Sequence, residues 1–182
     1  MRGETTAERK NESVTFRVDK KILDKLRSHA KNQKTTLNST VNQSLEHSVD
    51  WDILAAATGW VPMPKNVLIS ILNKLDEKAI VEIATKVGKS VPKDLLVGMK
   101  GGSSVREWIS ILRSRARAAG FHYAETEEDE SVKFITQHNM GMKWSIYFKT
   151  YYESAFKELG CNAEFNLTDN TLVYAVDKKY IT

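Results

Sequence analysis

The chain has 182 residues, a formal net charge of +4, one cysteine and an apolar fraction of 41%. This length allows one domain or two small ones, and the apolar fraction is sufficient for a packed core. No apolar run approaches the roughly 20 residues of a membrane span, the first twelve residues lack the apolar stretch of a signal peptide, and a lone cysteine excludes an intrachain disulfide. These features predict a soluble, cytoplasmic protein with no membrane partner.

The positive charge is concentrated near the N-terminus. Residues 9–34 contain nine Lys or Arg against three Asp or Glu, whereas five of the six residues in 125–130 are acidic. A concentrated basic segment is the electrostatic footprint of a nucleic-acid-binding surface. We therefore expect residues 1–12 to form a flexible basic tail, and double-stranded DNA to be a partner.

The first predicted elements are a strand and two helices, which together form a domain over residues 13–58. Apolar and polar side chains alternate over residues 13–19, as in a half-buried strand. From Lys20 the apolar residues recur with the period of a helix, and Thr36 is placed to cap a second helix. Because a strand needs a hydrogen-bonding neighbour, this one would lie at the edge of a larger sheet or pair with a second copy of the chain.

A second domain is predicted over residues 62–180. It begins with amphipathic helices, one of which is expected to end at Gly88, followed by a short helix over 92–98. Two strands, a helix over about 141–159 and two more strands then follow. The order strand–strand–helix–strand–strand predicts an antiparallel sheet packed by helices, so the predicted fold class is α+β.

The N-terminal segment resembles the ribbon-helix-helix family of DNA-binding proteins, of the Arc and MetJ type. The resemblance covers about residues 13–50, and rests on VTFRVDKKILDKLRSHAK for the strand and first helix and on TTLNSTVNQSLEHSV for the second helix. It implies that two chains pair their strands into an antiparallel ribbon covered by four helices, so that the homodimer is obligatory. The implied dimer core is Val14, Phe16, Val18, Ile22, Leu26, Val41 and Leu45. No family is recognised for residues 60–182.

The resemblance also implies where DNA would bind. The polar face of the ribbon would enter the major groove, where Arg17 can bind guanine through two hydrogen bonds and Thr15 can contact a thymine methyl. The implied base contacts are Ser13, Thr15 and Arg17; an ordinary exposed sheet face is the alternative. A phosphate would lie at the N-terminus of the second helix, where free amides and the helix dipole favour an anion. The implied phosphate contacts are Lys34, Thr36, Asn38 and Ser39.

The second domain offers two candidate features. Arg106, Arg113 and Arg117 are spaced to share one face of a helix, and could bind a phosphate-bearing ligand, a second DNA segment or the acidic 125–130 turn. A plain exposed polar face is the alternative. The aromatic residues between 144 and 156 could line a pocket, although aromatics on a long helix are more often core or dimer interface.

Metal binding and catalysis find no supporting pattern. His122, His138 and Cys161 lack the close spacing of a metal site, so we predict neither a metal ligand nor a cofactor. No nucleophile motif, phosphate loop or dinucleotide-binding glycine pattern occurs, and an enzyme is not expected.

The sequence therefore predicts a DNA-binding transcription regulator of the repressor type, acting as a homodimer or tetramer. Its C-terminal domain would sense a small-molecule effector or multimerise the protein. One alternative is an antitoxin-like protein whose C-terminal domain binds a protein partner. Another is an enzyme attached to a DNA-binding segment.

Overall fold

The computed structural model describes residues 12–57, 59–100 and 104–181. The predicted basic tail lies outside these ranges except for its last residue. The chain divides into two compact units between Leu45 and Glu46, earlier in the chain than the boundary expected near Pro62.

The first unit contains helix α1 (Lys20–Asn32) and most of helix α2 (Leu37–His47). The α1 helix begins where the carboxylate of Asp19 accepts hydrogen bonds from the backbone N–H groups of Lys21 and Ile22. The α2 helix begins where Thr36 Oγ1 accepts the backbone N–H of Ser39 at 3.0 Å. These side chains satisfy amides that have no partner inside the helix, and the predicted capping role of Thr36 is confirmed.

The predicted strand over residues 13–19 is wrong. These residues are exposed, contain no strand and lead directly into α1. Alternation alone does not make a strand, because its backbone donors and acceptors need a neighbouring strand, and the described strands pair only with one another. The predicted ribbon-helix-helix fold is therefore corrected: between residues 12 and 45 the regular structure is helical.

The second unit contains the last two residues of α2, followed by a π-helical turn, Ser48–Asp52, and further helices. The described helices are α3 (Ile53–Ala57), α4 (Lys65–Asn73), α5 (Glu77–Lys100), α6 (Val105–Ala118) and α7 (Met142–Glu158). Asp76 accepts the backbone N–H of Ala79 at the start of α5, and Ser104 forms a reciprocal capping box with Glu107 at the start of α6. Within the described ranges, every helix is too short or too polar to cross a bilayer.

The sequence predicts that a helix ends at Gly88. This prediction is wrong, because helix α5 continues through Gly88 to Lys100. A Cβ atom on Gly88 would lie 2.5 Å from the backbone oxygen of Tyr151 and 2.8 Å from Cβ of Ser154. The glycine therefore allows α5 to approach α7 closely. Pro92 lies four residues later within the same helix, where it cannot donate the usual hydrogen bond to the Gly88 carbonyl.

A four-stranded antiparallel sheet completes the second unit, with the spatial order β1-β2-β4-β3. Its strands are β1 (His122–Glu127), β2 (Ser131–Gln137), β3 (Glu164–Leu167) and β4 (Thr171–Asp177), and α7 lies between β2 and β3 in the chain. This is the strand–strand–helix–strand–strand order that the periodicity predicts. The second unit is thus α+β.

The core of the second unit lies between helices and one face of this sheet. Phe134 of β2 and Tyr174 of β4 are directly opposite in the register, and their rings stack with centroids 4.9 Å apart. Tyr152 and Phe156 of α7 contact the Tyr174 ring, and Trp108 of α6 is fully buried. Large aromatic side chains therefore connect α7 to the sheet in this core.

Candidate functional site

The second unit contains a cavity of about 650 Å³. Residues of 51–63 form one wall, and the start of α4, the end of α6 and the first half of α7 form the others. This volume lies within the range of small-molecule binding sites.

Aromatic side chains make up much of the cavity wall. Trp51 lies edge-on to Trp60, with ring centroids 5.3 Å apart, and α7 contributes Trp144, Tyr147 and Phe148. Three of the four tryptophans of the chain therefore line the cavity. The aromatic stretch of α7 serves both roles that the sequence left open, since its later members, Tyr151, Tyr152 and Phe156, are buried in the core.

Arg115 of α6 places a cation among these rings. Its guanidinium carbon lies 4.8 Å from the ring centroid of Trp60 and 5.3 Å from those of Phe148 and Tyr151. A cation over a ring is stabilised, because the face of an aromatic ring carries partial negative charge. Burial raises the pKa of Tyr151, and the charge of Arg115 opposes that rise. The tyrosine therefore stays neutral, and does not balance the arginine charge.

Sequence analysis missed Arg115, although one signal was present. Arg115 follows Trp108, Ile111 and Leu112 at helical spacing, and those three side chains are buried. A cation that continues an apolar stripe must lie next to apolar groups. The three arginines of the predicted anion face, Arg106, Arg113 and Arg117, lie on the opposite side of the helix from that stripe.

The predicted arginine face is not a single anion site. Arg113 binds Glu125 of the acidic segment through two hydrogen bonds, of 2.6 and 3.0 Å, and these raise the pKa of Arg113. Arg117 forms an ion pair with Glu46 at 3.6 Å, and Arg106 is exposed. Of the three alternatives, the structure shows the contact with the acidic segment, and shows it for Arg113.

Lys65 is a second cation of the cavity wall. Its Nζ lies 4.7 Å from the ring centroid of Phe121. Asp52, the carboxylate among the lining residues, lies 3.3 Å from Nε2 of His47. The described charges of the wall are thus two cations and one carboxylate that already has a partner.

A buried histidine lies behind the cavity. The rings of Phe121 and Phe148, which line the cavity, both contact the His138 ring edge-on. Nδ1 of His138 accepts the backbone N–H of Met140, so the ring proton is on Nε2, which donates to Ser145 Oγ at 2.9 Å. The Ser145 hydroxyl in turn donates to the Thr168 carbonyl. This chain of hydrogen bonds holds the histidine neutral.

The histidine is a poor proton donor or acceptor at neutral pH. Burial, followed by the nearby Lys65 charge, lowers the pKa of His138 to about 4. Both ring nitrogens are already used. Among the described residues, no three His, Cys, Asp or Glu side chains gather closely enough to bind a metal ion.

The predicted phosphate contacts lie together at the start of α2. Thr36 and Ser39 share a hydrogen bond between their hydroxyls, while Lys34 and Asn38 are exposed nearby in the chain. The predicted base contacts, Ser13, Thr15 and Arg17, are exposed in the irregular segment before α1. Without a strand, nothing in the backbone places those three side chains on one face.

The predicted dimer-core residues are largely exposed in the single chain. Leu26 and Val41 are half-buried, and the other five are 47–66% exposed: Val14, Phe16, Val18, Ile22 and Leu45. Between residues 12 and 45, only Ala30 and Thr40 are buried. This part of the chain covers very little of its own apolar surface.

Comparisons with known proteins do not identify a family. No protein-family model and no curated protein matches the sequence. Among solved structures, a variant of the Tt H-NOX protein is similar, with 12% identity and a TM-score of 0.43 over 85% of this chain and 89% of that chain. A TM-score below 0.5 at this identity does not establish a shared fold.

Proposed function

We propose that the chain is a ligand-responsive DNA-binding regulator, whose second unit binds a small, largely apolar effector and whose first unit contacts duplex DNA. The cavity of about 650 Å³ carries this proposal. The cavity is open to solvent on one side, where its wall residues Val61 and Met63 are exposed, so a small molecule can enter it. An aromatic-lined cavity of this size in a well-packed unit is typical of a ligand site.

The charges of α1 support the DNA-binding part of the proposal. The carboxylate of Asp19 is used as a helix cap, and Asp24 is paired with Arg27 at 3.2 Å. Five lysines of this region form no ion pair with a described carboxylate: Lys20, Lys21, Lys25, Lys31 and Lys34. Unpaired, exposed cations of this density suit the phosphate backbone, where binding releases condensed counterions.

The chain order supports a link between effector and DNA. Trp51 and Asp52 belong to the π-helical turn that directly follows α2, and both line the cavity. Short π-helical segments are often found at functional sites. An effector that packs against Trp51 would favour one conformation of this turn over others, which is the requirement for a population shift.

A second copy of the chain is the partner proposed for the first unit, and the cytoplasm is the proposed compartment. The dimer is supported by the exposure of Phe16, Val18 and Ile22, since apolar side chains left exposed over one short segment often mark an interaction site. The cytoplasmic compartment is supported by the lone cysteine, Cys161, which is buried and free, as is usual for proteins of a reducing compartment. Strand pairing is not part of this proposal.

The DNA-binding part is tested by charge removal. A Lys21→Gln/Lys25→Gln/Lys31→Gln variant should lose affinity for a duplex of the gene's upstream region, and its binding should depend less steeply on salt, by roughly 0.9 in the log–log slope per lost phosphate contact. The matched control is Lys78→Gln/Lys86→Gln/Lys89→Gln, which removes the same charge from exposed positions of the second unit. Equal losses in both variants, or no binding by the wild type, would contradict a DNA-binding first unit.

The effector part is tested by filling the cavity. Small aromatic compounds should raise the melting temperature of the full chain and change its affinity for DNA. An Ala118→Phe variant, at a lining position, should lose both responses, whereas Ser90→Phe, at an exposed position of α5, should keep them. Loss in both variants, or in neither, would count against the cavity as the effector site.

The dimer is tested by sedimentation. Phe16→Asp should shift the protein towards the monomer, because a charge would be buried in the interface. Val97→Asp, at a position that is 72% exposed in the second unit, is the control. A wild type that is monomeric at all concentrations would exclude this partner.

A further inference from the structure

The charged side chains of the cavity wall indicate the charge of the effector that the cavity would bind. Arg113 and Arg117 of α6 each have a carboxylate partner, Glu125 and Glu46 respectively, whereas Arg115 of the same helix forms no ion pair with a described carboxylate. Arg115 is half-buried, and its guanidinium contacts ring faces instead. A cation in such a place is incompletely compensated, since rings neutralise less charge than a carboxylate does.

The rest of the wall adds positive charge rather than negative. Lys65 contributes a second cation, which also has no described carboxylate partner. Asp52 is paired with His47, and is exposed rather than buried beside Arg115. The wall therefore favours an anion over a neutral molecule, and a neutral molecule over a cation.

The shape of the Arg115 guanidinium indicates which anionic group it would bind. A guanidinium presents parallel N–H groups that match the two oxygens of a carboxylate, and it is more weakly hydrated than an ammonium group. The adjacent walls of Trp51, Trp60 and Phe148 suit a flat apolar body, because aromatic rings prefer offset-stacked or edge-on neighbours.

Resting on the effector function proposed above, we infer that the cavity binds an aromatic carboxylate, with Arg115 binding the carboxylate group and the tryptophan-lined wall packing against the ring system. Lys65 adds long-range attraction for the same charge. The positive wall discriminates by charge, and the aromatic wall by shape.

The test compares two compounds of nearly the same shape, naphthalene-2-carboxylate and naphthalene-2-carboxamide, by calorimetric titration of the full chain. The carboxylate should bind at least tenfold more tightly than the amide. Quenching of tryptophan fluorescence gives an independent readout, because three of the four tryptophans line the cavity.

Variants assign the difference to Arg115. Arg115→Gln should reduce the affinity for the carboxylate to that for the amide and leave the amide unchanged, while Arg115→Lys should keep part of the preference. Arg106→Gln, which removes an exposed charge from the same helix, should behave as the wild type. If Arg115→Gln does not fold, the wild-type comparison of the two compounds and the Arg115→Lys variant still decide.

The outcomes separate this inference from the function on which it rests. If the amide binds as tightly as the carboxylate, or if folded Arg115→Gln keeps the preference, the inference is wrong and the effector site stands. If neither compound binds while neutral aromatics of other shapes do, the inference is also wrong. If no aromatic compound of any charge binds, the effector site itself is wrong.

Discussion

The two units of the chain differ in how much of their apolar surface the chain itself covers. In the second unit, helices and a sheet bury a continuous cluster that includes Trp108, Phe134 and Phe156. Between residues 12 and 45 only Ala30 and Thr40 are buried, and Phe16 is 65% exposed. The second unit therefore has the core of an independent domain, whereas residues 12–45 leave most of their apolar side chains exposed.

The largest expected effect comes from truncating a core aromatic. Phe156→Ala should lower the free energy of unfolding of the second unit by about 3–5 kcal/mol, because it removes apolar contacts and leaves a cavity between α7 and the sheet. Phe16→Ala makes the same truncation in the exposed segment of the first unit. It should alter the free energy of unfolding of the second unit by less than about 0.5 kcal/mol. Denaturant titration followed by tryptophan fluorescence measures this, since all four tryptophans lie in the second unit. Similar losses would show that the two regions share one core.

Acid should weaken the second unit through His138. Its pKa is lowered to about 4 from an ordinary 6.5, so between these values the unfolded chain binds a proton that the folded chain does not. Stability should therefore fall as the pH drops from 6.5 to 4, by up to about 3 kcal/mol at 1.36 kcal/mol per pKa unit.

The acid effect is isolated by comparing variants. His138→Gln should flatten the pH dependence of the unfolding free energy across this window, whereas His122→Gln, at an exposed position, should leave it unchanged. Lys65→Gln should reduce the loss, because the lysine charge contributes to the lowered pKa. An unchanged pH dependence in His138→Gln would show that the histidine is not held neutral.

A single substitution tests the close packing of α5 against α7. Gly88→Ala should destabilise the second unit by about 1–3 kcal/mol, because the new Cβ would overlap the backbone oxygen of Tyr151. Alanine in place of an ordinary exposed helical glycine would instead stabilise by roughly 0.5–1 kcal/mol. Ser90→Ala, at an exposed position of the same helix, is the control. A stabilised Gly88→Ala protein would mean that the two helices lie further apart than described.

The smallest expected effect is in the first unit. Thr36→Ala removes the hydroxyl that accepts the Ser39 amide, and should destabilise α2 by about 1 kcal/mol. Circular dichroism at 222 nm should show the loss of helix while the tryptophan fluorescence transition is unchanged. Asn42→Ala, at an exposed position in α2 that caps no helix, should not reduce the helix signal. A shift of the tryptophan transition in Thr36→Ala would show that the two units unfold together.

Local signals correctly indicate several helix ends and the four strands of the second unit. The predicted cap at Thr36 is present, and the caps at Asp76 and Ser104 likewise join a side chain to an amide three residues later in the chain. Gly120 and Gly160 follow the ends of α6 and α7 and adopt positive φ angles of 64° and 71°, which suit glycine. These features need only a few neighbouring residues, so the sequence contains them in full.

Signals that depend on a distant partner failed. The alternation over residues 13–19 predicted a strand that no neighbour completes. Gly88 was read as a helix end, because its close approach to Tyr151 cannot be seen from residues adjacent in the chain. Arg115 was missed at the candidate site for the same reason, since Trp60 and Phe148 lie far from it in sequence.

The sequence by itself determined the helix caps, the amphipathic faces, the alternation of the four strands and the uneven charge, because each depends on residue type and spacing along a short stretch. Only the tertiary structure decided which alternating segments become strands, where α5 approaches α7, and which arginine lies among aromatic rings. Those outcomes depend on which surfaces meet, and that is settled by burial and hydrogen bonding between segments that are remote in the chain.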